Sequence, residues 1–297
     1  MGILHKIQQE QQELEIEKER LRILGIYQNY EGEDEVVTST EALRIAKEQA
    51  SLVTEKYYTM IPTLDKTIDG FRQGDVIVIS GPTKMGKTTL AQSMTHGLAE
   101  QNIPCLWFSY EMTSQEFLEK FGEPIPYFLL PKRLKGNSLK WIEEKVIEGV
   151  AKYGAKVIFI DHLHYLLDMN SIGQKGNVSL FIGAIMRDLK KIALKWKVAI
   201  GIIAHTSKIR FDKAPDLNDI RDSSFISQEA DTVLMIWRIK EMSGCYGDRA
   251  SLAILANRRN GKVGNVILEM KNGRFREEQK DYDHSEPPYS ATGEGGA

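Results

Sequence analysis

In GPTKMGKTTL, residues 81 to 90, two glycines, a lysine and a threonine occupy the fixed places of the spacing G-x-x-x-x-G-K-[ST]: Gly81, Gly86, Lys87 and Thr88. Glycine lets the main chain curl closely enough for successive N–H groups to point at phosphate oxygens. A helix opened by such a loop turns its positive dipole end to the same spot. Lys87 then reaches the β- and γ-phosphates and the Thr88 hydroxyl ligates Mg²⁺, while Pro82, Thr83, Lys84, Met85 and Thr89 complete the nucleotide-binding set. The chemistry is the binding of a nucleotide with its magnesium ion.

Such a site also needs a carboxylate on the magnesium shell, at the end of a neighbouring buried strand. Asp161, closing the run KVIFID, suits that place, although an aspartate ending a strand is also a common turn former. A second carboxylate must activate water. The residue after Asp161 is His162, which disfavours the arrangement with adjacent acidic residues and directs attention to Glu111 in FSYEM. Glu111 follows another buried strand whose C-terminal end opens onto the same sheet edge, where it stands as the candidate catalytic base against the plainer reading of a first-turn acid. His205 ends the apolar run AIGIIAH. Taken alone it reads first as a satisfied core or rim histidine, and an ordinary imidazole pKa of about 6.5 leaves its protonation open.

These residues require a particular scaffold. The runs DVIVIS (75–80), CLWFS (105–109), KVIFID (156–161) and VAIGIIA (198–204) are short and continuously apolar, which indicates parallel strands buried on both faces. Between the last two, Phe181, Ile185, Leu189, Ile192 and Trp196 predict one face of a helix. TVLMIW (232–237), SLAILA (251–256) and NVILEM (265–270) follow without helices between them and predict an antiparallel extension of the sheet. The fold class is therefore α/β, a mostly parallel sheet flanked by helices with antiparallel C-terminal strands.

Residues 1–60 read as a helical N-terminal extension. The first 24 residues are helix-prone and solvated, and Leu43, Ala46, Ala50, Val53 and Tyr57 predict one face of a helix over 41–57. The main domain runs from 61 to 276, and 277–297 has the composition of a disordered tail. A net charge of −2 argues against a generally basic coat, without excluding a local basic channel. Two cysteines, Cys105 and Cys245, are too few for a disulfide framework or a zinc ribbon. With no apolar run long enough to span a bilayer and no signal-like start, the expectation is a soluble, cytoplasmic protein without membrane contact.

From about Ile61 to Arg276 the chain resembles the RecA-fold, P-loop NTPase motor domain of DnaB-like replicative helicases, including the phage and mitochondrial primase-helicases. The resemblance is carried, in order, by IPTLDKTIDGFRQGDVIVISGPTKMGKTTLA, FSYEMTSQEF, VIFIDHLHYLL, LKKIALKWKVAIGIIAHTSK, DLNDIRDSSFISQEADTVLMIWR and LANRRNGKVGNVILEM. It implies that Glu111 is the catalytic base and His205 a polar sensor of the γ-phosphate, histidine there being a phage-type feature. It also implies a homo-oligomeric ring, usually hexameric, in which an arginine reaches the neighbour's nucleotide. By position the finger is Arg259; Asn257 stands where the family has lysine, and Arg258 is the alternative. Single-stranded DNA would be gripped by Arg221, Asp222 and Ser224, with Lys208 and Arg210 from the preceding loop and Lys213 and Lys175 as further cations. The helix at 41–57 would be the linker helix that docks on an adjacent subunit. No primase-like region is visible, so priming, and loading, would be supplied by a separate primase or loader. Two other readings share the core: a RecA- or KaiC-like regulatory ATPase, and a nucleotide-gated DNA-binding or assembly factor.

Overall fold

The structure, a computed structural model, describes residues 2–32, 35–50, 55–167, 178–206, 219–220, 223–241 and 244–278. The chain divides into two compact units, 1–54 and 55–297.

The first unit contains α1 (Gly2–Tyr27) and α2 (Ser39–Ala50). Leu14, Ile16, Leu21, Leu24 and Ile26 of α1 are exposed, and Arg20–Glu17 and Arg22–Glu19 pair one turn apart along it. Such exposed pairs are screened by solvent and add little to the helix. Residues 9–27 of the helix are exposed throughout. In α2, Arg44 bridges Glu41 and Glu48. The helix expected over 41–57 does not reach Tyr57: α2 is Ser39–Ala50, and both Leu43 and Ala46 are exposed. Val53 lies outside the described residues. Tyr57 instead occupies the two-residue strand β1 (Lys56–Tyr57), which pairs antiparallel with β2 (Phe71–Arg72), and its ring is buried in the second unit's core. Burial against that core overrides the helical spacing that Tyr57 happens to share with α2.

The second unit is a three-layer sandwich. Its strands are β3 (Val76–Gly81), β4 (Cys105–Ser109), β5 (Val157–Asp161), β6 (Ala199–His205), β7 (Thr232–Lys240), β8 (Tyr246–Asn257), β9 (Gly264–Lys271) and β10 (Arg274–Glu277). They form one sheet in the order β10-β9-β8-β7-β3-β6-β5-β4. Pairing is parallel from β4 through β5, β6 and β3 to β7, then antiparallel through β8, β9 and β10. The predicted antiparallel extension is present and gains the short strand β10, so the domain runs past 276: Glu277 ends β10, and the Glu278 N–H donates to Ile267 O.

Alternation along each strand divides the apolar residues between two cores. Val76 and Val78 face one side with Ile158, Ile160, Ile200 and Ile202, while Ile77 and Ile79 face the other with Val157, Phe159 and Ile203. Helices α6 (Leu139–Tyr153) and α7 (Val178–Trp196) cover the first side. Helices α3 (Pro62–Ile68), α4 (Lys87–Glu100) and α5 (Ser114–Glu119) cover the second. Local sequence sets their ends. Ser138 caps α6 by accepting the Trp141 N–H, Gly154 closes it in the left-handed region, and Thr113 and Glu116 form a capping box on α5. The buried face of α7 is Ile182, Ile185, Met186, Leu189, Ile192 and Ala193. It keeps the centre of the predicted stripe, but Phe181 is exposed and Trp196 only partly buried. The helix lies against β strands and a further helix, α8 (Ser223–Glu229), so a broader stripe is covered than spacing alone selects.

Candidate nucleotide site

Parallel strands bring their C-terminal ends to one sheet edge, and four of the candidate residues meet there. Gly81 ends β3 opposite His205 at the end of β6; Asp161 ends β5 opposite Ile203 of β6 and Ser109 of β4; Glu111 follows two residues after β4. The order β3-β6-β5-β4 therefore sets the phosphate loop, His205, Asp161 and Glu111 side by side.

The loop has the backbone that its glycines permit. Gly81 and Gly86 have φ of 152° and 99°, and Lys84 is also left-handed at 63°. A Cβ at Gly81 would strike the carbonyl oxygen of Ile236, and one at Gly86 would lie 2.7 Å from the Phe275 ring. The sheet's antiparallel end thus props the loop from behind, a contact that no local motif announces. Helix α4 begins at Lys87 with Gly86 as its N-cap, and no side chain caps it. Its first N–H groups are left for a ligand, as an anion site requires.

Lys87 is buried and donates from Nζ to the carbonyls of Gly81 (2.9 Å) and Pro82 (3.0 Å). Burial pulls its pKa down, against the opposing pull of Glu111 and Asp161. The Thr88 hydroxyl donates to Asp161 Oδ2 at 2.8 Å. Asp161 is fully buried, and its Oδ1 has no hydrogen-bond partner. Burial pushes its carboxyl up to about 6, opposed by the Thr88 hydrogen bond and reinforced by Glu111. A hydroxyl and a half-satisfied carboxylate, both oxygen donors, form a set that suits magnesium.

Beside them, the Glu111 carboxylate is 3.9 Å from His162 Nδ1. His162 is buried, its Nδ1 has no hydrogen-bond partner, and its ring lies 4.2 Å from that of His205. Burial, with His205, His164 and Lys87 adding to it, drives the His162 pKa down to about 3, so the ring is neutral at physiological pH. In the sequence alone His162 does no more than disfavour an adjacent acid. The signal was the doubled histidine of DHLHY, and only strand adjacency puts it against Glu111 and His205.

The family described as DnaB-like helicase C-terminal domain matches residues 57–122 and 132–278. The chain belongs to the DnaB-like helicase family. It is 28% identical over 246 residues to the replicative DNA helicase DnaB of Haemophilus influenzae, covering 71% of this chain and 52% of that protein. To the DnaB of Treponema pallidum it is 25% identical over 246 residues, covering 72% of this chain and 53% of that one. The chain thus spans about half the length of the curated relatives it matches. Among solved structures, one ATPase domain superposes with a TM-score of 0.69 at 20% identity, covering 82% of this chain and all of that one. A DnaB-like replicative helicase studied with its primase interactions gives 0.68 at 19%, covering 90% of this chain and 76% of that one. The fold is thus that of RecA-like helicase ATPase domains.

In this DnaB-like chain Arg259 lies away from the phosphate loop. It follows β8, whose last residue, Asn257, pairs with Thr232 at the start of β7, so it sits at the opposite end of the strands. Its Nη2 donates to both oxygens of Asp75 (2.9 and 2.7 Å) and its Nη1 to Ile68 O (2.8 Å). Asn257 is buried and donates to Thr67 O and Asn260 Oδ1. Arg258 is more exposed, donates to Gln228 O and lies 4.0 Å from Asp231. Neither arginine can serve this chain's own loop from these positions. Of the DNA-binding candidates, Lys208, Arg210, Arg221 and Asp222, with Lys213 and Lys175, lie outside the described residues. Ser224 falls in the first turn of α8. Thr206, one residue past His205, bridges to Ile220.

Proposed function

We propose that this chain is the motor of an ATP-driven ring translocase that moves along single-stranded DNA and opens duplex DNA during replication. The observation that carries the reading is the convergence of the phosphate loop, Asp161, Glu111 and His205 on one sheet edge, with Thr88 already bonded to Asp161. Lys87 and the free N–H groups at the start of α4 bind the ATP phosphates. Thr88 and Asp161 hold Mg²⁺, which when bound neutralises phosphate charge. Glu111 takes a proton from the attacking water, and His205 donates a hydrogen bond to the terminal phosphate, passing its state to the loop that follows.

Arg259 points away from its own loop, which is the placement a residue acting in a neighbour's site needs. We assign it the trans role in a homo-oligomeric, hexameric ring, released from Asp75 when the neighbour binds nucleotide. Arg210, Lys208, Arg221, Asp222 and Ser224 track the DNA phosphates, so binding is independent of sequence and weakens with salt. The relatives' names concern replication, and one solved relative is described with primase, so a separate primase or loader is the expected partner. Among the described residues no helix is long and apolar enough to cross a membrane.

The test compares ATP hydrolysis with and without single-stranded DNA and scores the opening of a forked duplex. Equal rates in both conditions together with an unopened fork would overturn the motor reading.

A further inference from the structure

One ligand atom from each of Glu111, His162 and His205 lies within 4.8 Å of the other two. This grouping is made by the sheet: the three residues sit at or just past the ends of the adjacent strands β4, β5 and β6, whose spacing the ladder holds. Magnesium does not explain it, because that ion prefers oxygen donors, and here two of the three are imidazoles. A second observation points the same way. His162 is nine-tenths buried, its Nδ1 has no hydrogen-bond partner, and that atom faces the Glu111 carboxylate at 3.9 Å. A buried ring nitrogen left without a partner is costly unless something else engages it.

We propose that Glu111, His162 and His205 form a second cation site, for a divalent transition ion of the zinc class, whose occupation holds the ATPase in a non-hydrolysing state. Two histidines and a glutamate are a donor set that such ions accept, with a fourth position left for water. Metal–ligand bonds of about 2.0–2.2 Å in tetrahedral geometry place donors about 3.4 Å apart. The trio therefore needs to contract by up to about 1.4 Å from separations that reach no more than 4.8 Å, and Glu111, with 39% of its side chain exposed, has the freedom to swing in. His162 is held by its neighbours and provides the fixed point. A metal on Glu111 engages the lone pairs that would otherwise accept a proton from water, so hydrolysis stops while Lys87 and the α4 N-terminus remain open to nucleotide. The binding claim stands on the trio alone; the inhibitory claim rests also on Glu111 being the base.

The experiment titrates Co²⁺, and Zn²⁺ in competition with it, into the full chain in excess Mg²⁺, reading the visible cobalt absorption and then ATP hydrolysis. One ion per chain is expected. His162→Asn should weaken binding by at least the roughly 10–100-fold that loss of even an outer-shell partner costs. Glu111→Gln, at a more exposed side chain, provides a second variant with the same expectation, and thermal unfolding and nucleotide binding report that each remains folded. Unchanged cobalt affinity in both folded variants, or no bound ion at all, overturns the site. For the wild type, Zn²⁺ should inhibit hydrolysis at the concentrations that displace cobalt. Binding as expected without inhibition would overturn the inhibitory claim and the assignment of Glu111 as base, whereas absent binding with ordinary hydrolysis would leave that assignment standing.

Discussion

Arg259→Ala removes the guanidinium that joins the turn after β8 to the start of β3. In the intact chain its Nη2 grips both carboxylate oxygens of Asp75 and its Nη1 the Ile68 carbonyl. Without it, the Asp75 carboxylate keeps the Arg72 N–H, 2.8 Å from Oδ2. Hydrogen bonds to charged groups contribute about 1.5–3 kcal/mol each, but Arg259 retains 28% side-chain exposure, so solvent screening reduces the net loss to about 1–3 kcal/mol. In a domain of this size that is a fall in Tm of about 2–12 °C.

The pH dependence has a definite sign. Burial raises the Asp75 carboxyl above its ordinary value, and Arg259 pulls it back down. Truncation lets it rise further. The penalty should therefore be full at pH 8, where a buried carboxylate is left without its cation, and should shrink as acid protonates it. Thermal unfolding of both proteins at pH 8 and pH 5 measures this. Turnover should fall as well, and mixing the variant with Glu111→Gln protein should restore some, since certain interfaces then hold both intact groups. A variant with wild-type Tm at pH 8 would refute the structural role of the pair. Mixed rings without recovery would refute the action in trans.

Lys87→Ala should abolish nucleotide-dependent activity, and full ATPase in the variant would rule out the phosphate loop as the site. Asp161→Asn should separate stability from function. Because burial lifts the folded pKa to about 6, this group's contribution to stability is present below its ordinary value and lost as pH rises through about 6. The nucleotide-free variant should therefore be about 1–3 kcal/mol more stable than wild type at pH 8 and no more stable at pH 4, by denaturant titration, while its Mg²⁺-dependent nucleotide affinity falls. Gly86→Ala places a methyl group against Phe275 at a φ of 99°, and should cost about 1–3 kcal/mol in unfolding measurements. A Phe275→Ala background should relieve the steric part only; full relief would show that backbone strain at Gly86 is unimportant.

The sequence by itself determined the phosphate loop, the strand runs, the antiparallel extension and the family. Each is written in local pattern: glycines where the backbone must curl, continuous apolar runs where both faces are buried, and motifs in a fixed order. The shared place of Glu111, Asp161 and His205 at one sheet edge was also legible, because each ends or follows a buried strand and parallel strands bring their C-terminal ends together. Tertiary structure decided what local pattern cannot carry. Tyr57 has helical spacing with α2 yet packs as a strand residue in the core, since burial outweighs periodicity. The α7 face is wider than its strict stripe because strands and α8 cover it from two directions. Arg259 was identifiable by position in a motif, but only the antiparallel run of β8 places it at the far end of β3, against Asp75. Glu111, His162 and His205 are far apart along the chain. They meet because sheet order follows hydrogen-bond pairing rather than chain order, which brings β6 between β3 and β5.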